Sequence, residues 1–173
     1  MKNIKCIKAA VFFIFTAVTL FLPASSSTSA YSYGLRSGDL DGTIVSASKK
    51  YDVPLAFFIA VMKAESGFNI NALSAKGAVG LMQVMPETGR ELNMNVRNPL
   101  SNITAGAEYL HYCLKRFGFE PVPALACYNA GPESVKTVYI KNRPKFIIPP
   151  YRQTEIYILR VFKYYNYYRK MLK

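Results

Sequence analysis

The chain has 173 residues, with 22 Lys/Arg against 10 Asp/Glu, one histidine, three cysteines and no tryptophan. That length suffices for one domain with a real core. A lone His111 and no Cys/His cluster at metal-ligand spacing give no support to Ser-His or Cys-His catalysis or to a metal site, and no cofactor is expected. The charge is uneven: residues 31–135 hold nine basic and nine acidic side chains, whereas from Lys136 onward ten basic residues face only Glu155. Such a segment favours an anionic partner, or else forms a solvated face that keeps the chain soluble. In an exported protein that partner is cell-wall polymer, acidic lipid or an acidic protein; no nucleic-acid partner is expected.

The N-terminus has the layout of a secretory signal peptide. Lys2, Lys5 and Lys8 precede an uncharged, mostly apolar run, Ala9 to Leu22, which Pro23 ends. Small residues follow, with Thr28-Ser29-Ala30 as a cleavage site. The run is shorter than the roughly 18–20 residues of a spanning helix, and an uncleaved anchor is the alternative. Cys6 lies before the run, which argues against a lipoprotein cysteine. The expected organisation is a signal peptide (1–30), a leader loop (31–41), one domain (42–168) and a basic C-terminal end (169–173), exported to the periplasm or cell envelope.

Within the domain, Thr43 to Tyr51 reads as a short first helix. Asp52 can cap the next, with Pro54 in its first turn. That helix carries the apolar run Leu55 to Met62 and ends near Ser66 and Gly67. Glu65 lies three residues after Met62 and four after Val61, so it shares their apolar face. A carboxyl there loses hydration and its pKa rises towards neutrality, which suits a general acid. The plain alternative is a helix-edge Glu turned to solvent. Residues 67–84, broken by Asn69, Asn71, Ser74, Gly77 and Gly80, read as irregular backbone of the kind that carries binding groups. Gln83 sits there among apolar neighbours; its amide suits a sugar hydroxyl or acetamido group, or caps local backbone.

Pro86 opens a helix to about Leu92. Ser101 or Asn102 caps a longer one to Phe117, where Ile103, Ala107, Leu110 and Leu114 repeat at helical spacing. Pro121 and Pro123 lead into a short apolar helix through Cys127. A short helix over 133–140 is expected next, then an extended crossing over 141–151 with three prolines. The last helix spans about Gln153 to Leu172. No strand hairpin is expected, so the fold is all-α and single-domain. Cys113 and Cys127 either pair, as export permits, or pack as small apolar groups; buried thiols are the reading taken.

Four motifs in order then point to a family. Glu65-Ser66-Gly67, Gly80-Leu81-Met82-Gln83, Tyr128-Asn129-Ala130-Gly131 and Thr154-x-x-Tyr157 resemble the soluble lytic transglycosylase domain, a lysozyme-like fold related to goose-type lysozyme. Lys76-Gly77-Ala78-Val79, Met85-Pro86-x-Thr88 and Asn102-Ile103-x-Ala105-Gly106-x-x-Tyr109-Leu110 agree. The resemblance covers about residues 42–168. It implies cleavage of the β-1,4 bond between N-acetylmuramic acid and N-acetylglucosamine in peptidoglycan, leaving a 1,6-anhydro muramoyl end without added water. Glycosidases ordinarily use two carboxylates. Here Glu87 and Glu91 do not occupy the family's second-carboxylate position, and if the substrate's own 6-hydroxyl attacks, one carboxyl serves as acid and then base.

The resemblance also implies roles. Glu65 is the catalytic acid. Ser74 orients the acetamido group or the carboxylate. Gln83 binds sugar with Met85 as wall, although Met85 can equally be packing. Tyr128 and Asn129 face Glu65, the phenol bonded to the carboxyl or to substrate. Tyr157 closes the cleft or packs. Ser66 supports the helix end. Two positions depart from the family: Cys127 stands where alanine is usual, putting a thiol near the site, and Gln153 stands where Glu is frequent, which bears on stem-peptide preference. The implied partner is the glycan strand, with the protein acting as a monomer. The resemblance, taken with the small size, implies local wall opening for a secretion or conjugation apparatus, with the basic, Tyr-rich C-terminal segment as its docking element. The competing readings are a lysozyme-type hydrolase and a non-catalytic wall-binding assembly module.

Overall fold

The computed structural model describes residues 38–140 and 143–173. The expected signal peptide and most of the leader lie outside them. The first helix, α1 (Gly38–Lys50), begins earlier than expected, so residues 38–41 are helix and not leader loop. Asp39 and Asp41 in its first turn and Lys49 and Lys50 in its last suit the helix dipole. α2 (Leu55–Ser66) follows, and its residues Phe57 to Met62 are all buried. A helix apolar all round belongs at the centre of a fold, and each such large side chain is worth about 1.5–3 kcal/mol relative to exposure. Gly67 stops α2 in the left-handed region, φ 63°, with its N–H donating to the Lys63 carbonyl.

α3 (Pro86–Glu91) is short, and α4 (Pro99–Arg116) is long. The cap of α4 is Asn98, not Ser101 or Asn102: its side chain accepts from the N–H groups of Leu100 and Ser101. Pro99 then fills the first helical position, where no N–H is needed. This releases Asn102, which is fully buried, for another task. α5 (Pro121–Ala130) packs on α4, and α6 (Arg152–Met171) packs on both α5 and α2, while α1 covers α4. Residues 169–171, expected as a separate basic end, continue α6.

Two local expectations are corrected. Residues 133–140 are not a helix: a 3-10 turn at Pro132–Ser134 leads into β1 (Lys136–Ile140), which pairs antiparallel with β2 (Arg143–Ile147), Lys136 opposite Ile147 and Thr137 opposite Phe146. β-branched and aromatic side chains fill both segments, and Pro144 is tolerated because a two-stranded sheet has only edges. Phe146 anchors the hairpin edge-on against Phe117, with ring centroids 5.4 Å apart. The other regular elements among the described residues are helices. Cys113 and Cys127 form a disulfide, not two thiols. The packing of α4 on α5 brings their Cα atoms to 5.8 Å, within bridging range. Closing a loop of this size stabilises by about 3 kcal/mol.

Candidate active site

Glu65 occupies the last turn of α2, one residue before Ser66 ends the helix. Burial pushes its carboxyl up from 4.5 to about 7, while the Tyr157 phenol and the Arg160 guanidinium pull the other way. The C-terminal end of the helix adds to the rise, since its partial negative charge opposes a carboxylate. Every Asp and Glu of the sequence falls among the described residues. The groups acting electrostatically on Glu65 are Tyr157, Arg160 and Tyr128, and none is a carboxylate. Ser66 supports the helix end: its hydroxyl donates to the Met62 carbonyl at 3.3 Å and accepts from the Phe68 N–H at 3.0 Å.

Two tyrosines flank the carboxyl. Tyr128, near the end of α5, was expected to bond the carboxyl or substrate. Within the protein its buried hydroxyl donates to the Met82 carbonyl at 2.9 Å and not to the Glu65 carboxyl. Burial and the neighbouring Glu65 raise its pKa well above the ordinary value. Tyr157, on α6, is equally buried, and burial and Glu65 raise it likewise. Its hydroxyl stands beside the Glu65 carboxyl close enough to lower that group's pKa. The pair falls short of good hydrogen-bond geometry, and the phenol oxygen has no other partner among the described residues. One turn earlier on α6, the buried Thr154 hydroxyl donates to the Asn129 side-chain oxygen at 3.0 Å. Asn129 itself is exposed, so its NH2 end remains open.

The loop of residues 69–84 is held from behind. Asn102 accepts from the Met82 N–H at 2.8 Å and donates to the carbonyls of Val79 and Val96, each at 2.9 Å. With Tyr128 on the Met82 carbonyl, both backbone groups of that residue are fixed. Close contact requires glycine twice. A Cβ on Gly80 would meet the Asn102 side chain at 2.7 Å, and a Cβ on Gly106 would meet Met82 at 2.4 Å. Isolated bridges of Val79 to Leu73 and to Val84 tie this turn-rich, irregular loop together.

The remaining expected residues are placed as follows. The Ser74 hydroxyl accepts from the Ala78 N–H at 3.0 Å, fixing a tight turn. Gln83 has φ 48°, and its NH2 donates to the carbonyls of Ala72 and Gly80. The amide therefore caps local backbone at one end, and its oxygen makes no hydrogen bond to a described residue. Met85, preceding α3, is exposed. None of Ser74, Gln83, Met85 or Asn129 bonds to Glu65 directly. Cys127 places no thiol at the site, because it is in the disulfide. Arg160, Asn102 and Thr154 were not assigned to the site from sequence. Arg160 was legible in one respect: it is three residues after Tyr157, one helical turn along the same side.

A predominantly helical domain with a near-neutral carboxyl at a helix end, faced by tyrosines, is of the lysozyme-like class. The chain belongs to the transglycosylase SLT domain family, whose model matches residues 42–147. It is 32% identical over 136 residues to the soluble lytic murein transglycosylase of Escherichia coli K12, covering 68% of this chain and 21% of that protein. It is 38% identical over 90 residues to the transglycosylase of Enterobacteria phage PRD1, covering 51% and 34%. Among solved structures, an inactive mutant of lytic transglycosylase Slt from Pseudomonas aeruginosa superposes with a TM-score of 0.64 at 28% identity, covering 76% of this chain and 24% of that one. The 70 kDa soluble lytic transglycosylase of Escherichia coli shares the fold, with a TM-score of 0.62 at 23% identity. The chain spans about a fifth to a third of the lengths of these relatives.

Proposed function

We propose that the protein is a peptidoglycan lytic transglycosylase that cleaves the MurNAc-β-1,4-GlcNAc bond and leaves a 1,6-anhydro muramoyl end. The observation that carries this is Glu65, half-buried at the end of α2, with desolvation raising its pKa to about 7 and no carboxylate acting on it. A protonated carboxyl near neutral pH donates its proton to the glycosidic oxygen as the bond from that oxygen to the anomeric carbon breaks. The muramoyl 6-hydroxyl oxygen then bonds to the anomeric carbon, and its proton passes to the Glu65 carboxylate, restoring the acid. The substrate's N-acetyl group stabilises the charged intermediate. Tyr157, whose hydroxyl has no other partner among the described residues, is suited to donate to the carboxylate in the second step or to a sugar oxygen. Asn129, Gln83 and Met85 would line the sugar, through the open amide NH2 of the first, the amide oxygen of the second and the exposed side chain of the third. Ser74 shapes the turn that presents them.

Digestion of purified peptidoglycan followed by mass spectrometry tests the reaction. Anhydro-muramoyl products are expected, and Glu65→Gln should lower their rate by about 10² to 10⁴. Reducing ends in place of anhydro ends would identify a hydrolase instead. Unchanged lysis by Glu65→Gln would remove the mechanism. The inactive mutant of the Pseudomonas relative is itself a Glu-to-Gln replacement. Export to the envelope through residues 1–30 belongs to the same reading, and N-terminal mass determination of the secreted chain would test it. The finer role, local wall opening for a secretion or conjugation apparatus, rests on the basic C-terminal segment, and neighbouring genes for such an apparatus would support it.

A further inference from the structure

α6 has two dissimilar sides. The inner side, including Tyr157, Ile158, Val161 and Tyr165, is buried in contact with α2 and α5. The outer side carries four large apolar side chains, Ile156, Leu159, Tyr167 and Met171, each between 43% and 58% exposed. At 3.6 residues per turn these four fall within an arc of roughly 120°, together with Arg152, Arg160, Lys163 and Lys170. All four cations are exposed. The one acid of the helix, Glu155, lies outside the arc and is half-buried.

Single exposed apolar residues need no explanation. Four on one stripe, interleaved with cations and free of carboxylates, do. A protein partner would dry an apolar centre, from which lysine is depleted, yet Lys163 lies mid-stripe between Leu159 and Tyr167. A wall polyanion would engage the cations and leave the apolar groups without a role. An anionic bilayer surface uses both. Apolar side chains enter the boundary between headgroup and acyl chain, while lysine and arginine stems lie along it and reach the phosphates. Tyrosine favours the same depth. No described helix is long and apolar enough to cross a membrane, so contact through α6 is lateral.

We propose that the outer face of α6 is a docking surface for a bilayer rich in anionic phospholipid, with the helix lying along the membrane plane. This goes beyond the reaction proposed above and does not depend on it.

The chain has no tryptophan, so Tyr167→Trp gives a single local reporter, and Tyr112→Trp on α4 gives a control at a comparably exposed site. With vesicles of phosphatidylglycerol and phosphatidylcholine, emission from position 167 should shift to the blue and be quenched by brominated lipid. Phosphatidylcholine alone should leave it unchanged, as should the reporter at 112 with either lipid. In the position-167 reporter, Lys163→Gln with Lys170→Gln should weaken the titration about thirtyfold, taking about fivefold for each cation near such a surface. Ile156→Gln with Leu159→Gln should abolish the shift. All four positions are exposed, so thermal melts of these variants should match the parent. Glu65→Gln should dock like the parent, which separates failure of this proposal from failure of the reaction. An unshifted reporter on anionic vesicles overturns the proposal, as does an equal shift on neutral ones or parent-like titration by the lysine variant. A silent reporter combined with lysine-dependent binding to purified cell wall, or to a protein, assigns the face to that partner and overturns it also.

Discussion

The Glu65 charge raises the pKa of both Tyr128 and Tyr157, and the two differ in what holds their hydroxyls. On the Tyr128 side, polar groups are committed within the protein. Tyr128 and Asn102 fix both backbone groups of Met82, Asn102 also ties Val79 and Val96, and Ser74 and Gln83 close turns in the same loop. On the α6 side, the Tyr157 hydroxyl makes no well-formed hydrogen bond to a described residue, standing only beside the Glu65 carboxyl, and Arg160 is exposed. Buried polar groups left unpaired are costly, and beside Glu65 the cost falls on the α6 side alone. If Glu65 reacts as proposed, one wall holds shape and the other supplies chemistry.

The largest test of that contrast is Asn102→Ala. It leaves the Met82 N–H and the Val96 carbonyl without partners, while the Val79 carbonyl keeps the Val84 N–H, and should cost about 2–4 kcal/mol in urea unfolding. A loss below about 1 kcal/mol would mean that the loop is not held by this amide. Next is Glu65→Gln read as stability. Because the folded pKa is raised, the charged form is penalised in the native state. The penalty is absent below about pH 4.5, grows as pH rises and is complete above about 7. The variant should therefore gain up to about 3 kcal/mol at pH 8 and nothing at pH 4. Equal stability at both values would deny the burial.

The tyrosines give a smaller, paired effect. Tyr128→Phe strands the Met82 carbonyl and should destabilise by about 1–2 kcal/mol. Tyr157→Phe removes a hydroxyl whose one neighbour among the described residues, the Glu65 carboxyl, it meets in poor hydrogen-bond geometry, so stability should hold or rise while lysis falls. Loss of its pull on Glu65 should also move the alkaline limb of the pH–rate profile upward. Parallel behaviour of the two variants would erase the distinction between the walls. Smallest is Arg160→Gln, which should move the same limb upward without changing the melt. Salt should reproduce the shift in the parent and add little in the variant, because an exposed cation is screened.

Glu65, its helix and the stop at Gly67 were legible in the sequence, since an apolar run ending in one carboxylate and a glycine depends only on neighbours along the chain. The order of helices followed from the same periodicity. The hairpin was missed because Lys136 to Ile147 has short, mixed segments whose pairing is non-local, and the prolines suggested a crossing. The cap of α4 was placed three to four residues late because Asn102 looks like a cap locally and is needed in the core.

What the sequence by itself determined is the chemistry present: one carboxyl on an apolar face, amides and tyrosines in a family order, and a C-terminal segment almost free of acids. The tertiary structure alone decided what each group is left to do. Whether Tyr128 or Tyr157 is available, whether two cysteines pair, and which side of α6 meets solvent all depend on packing between elements distant in the chain. A hydroxyl's partner is a matter of a few tenths of an ångström across such contacts, and no pattern along a single helix records it.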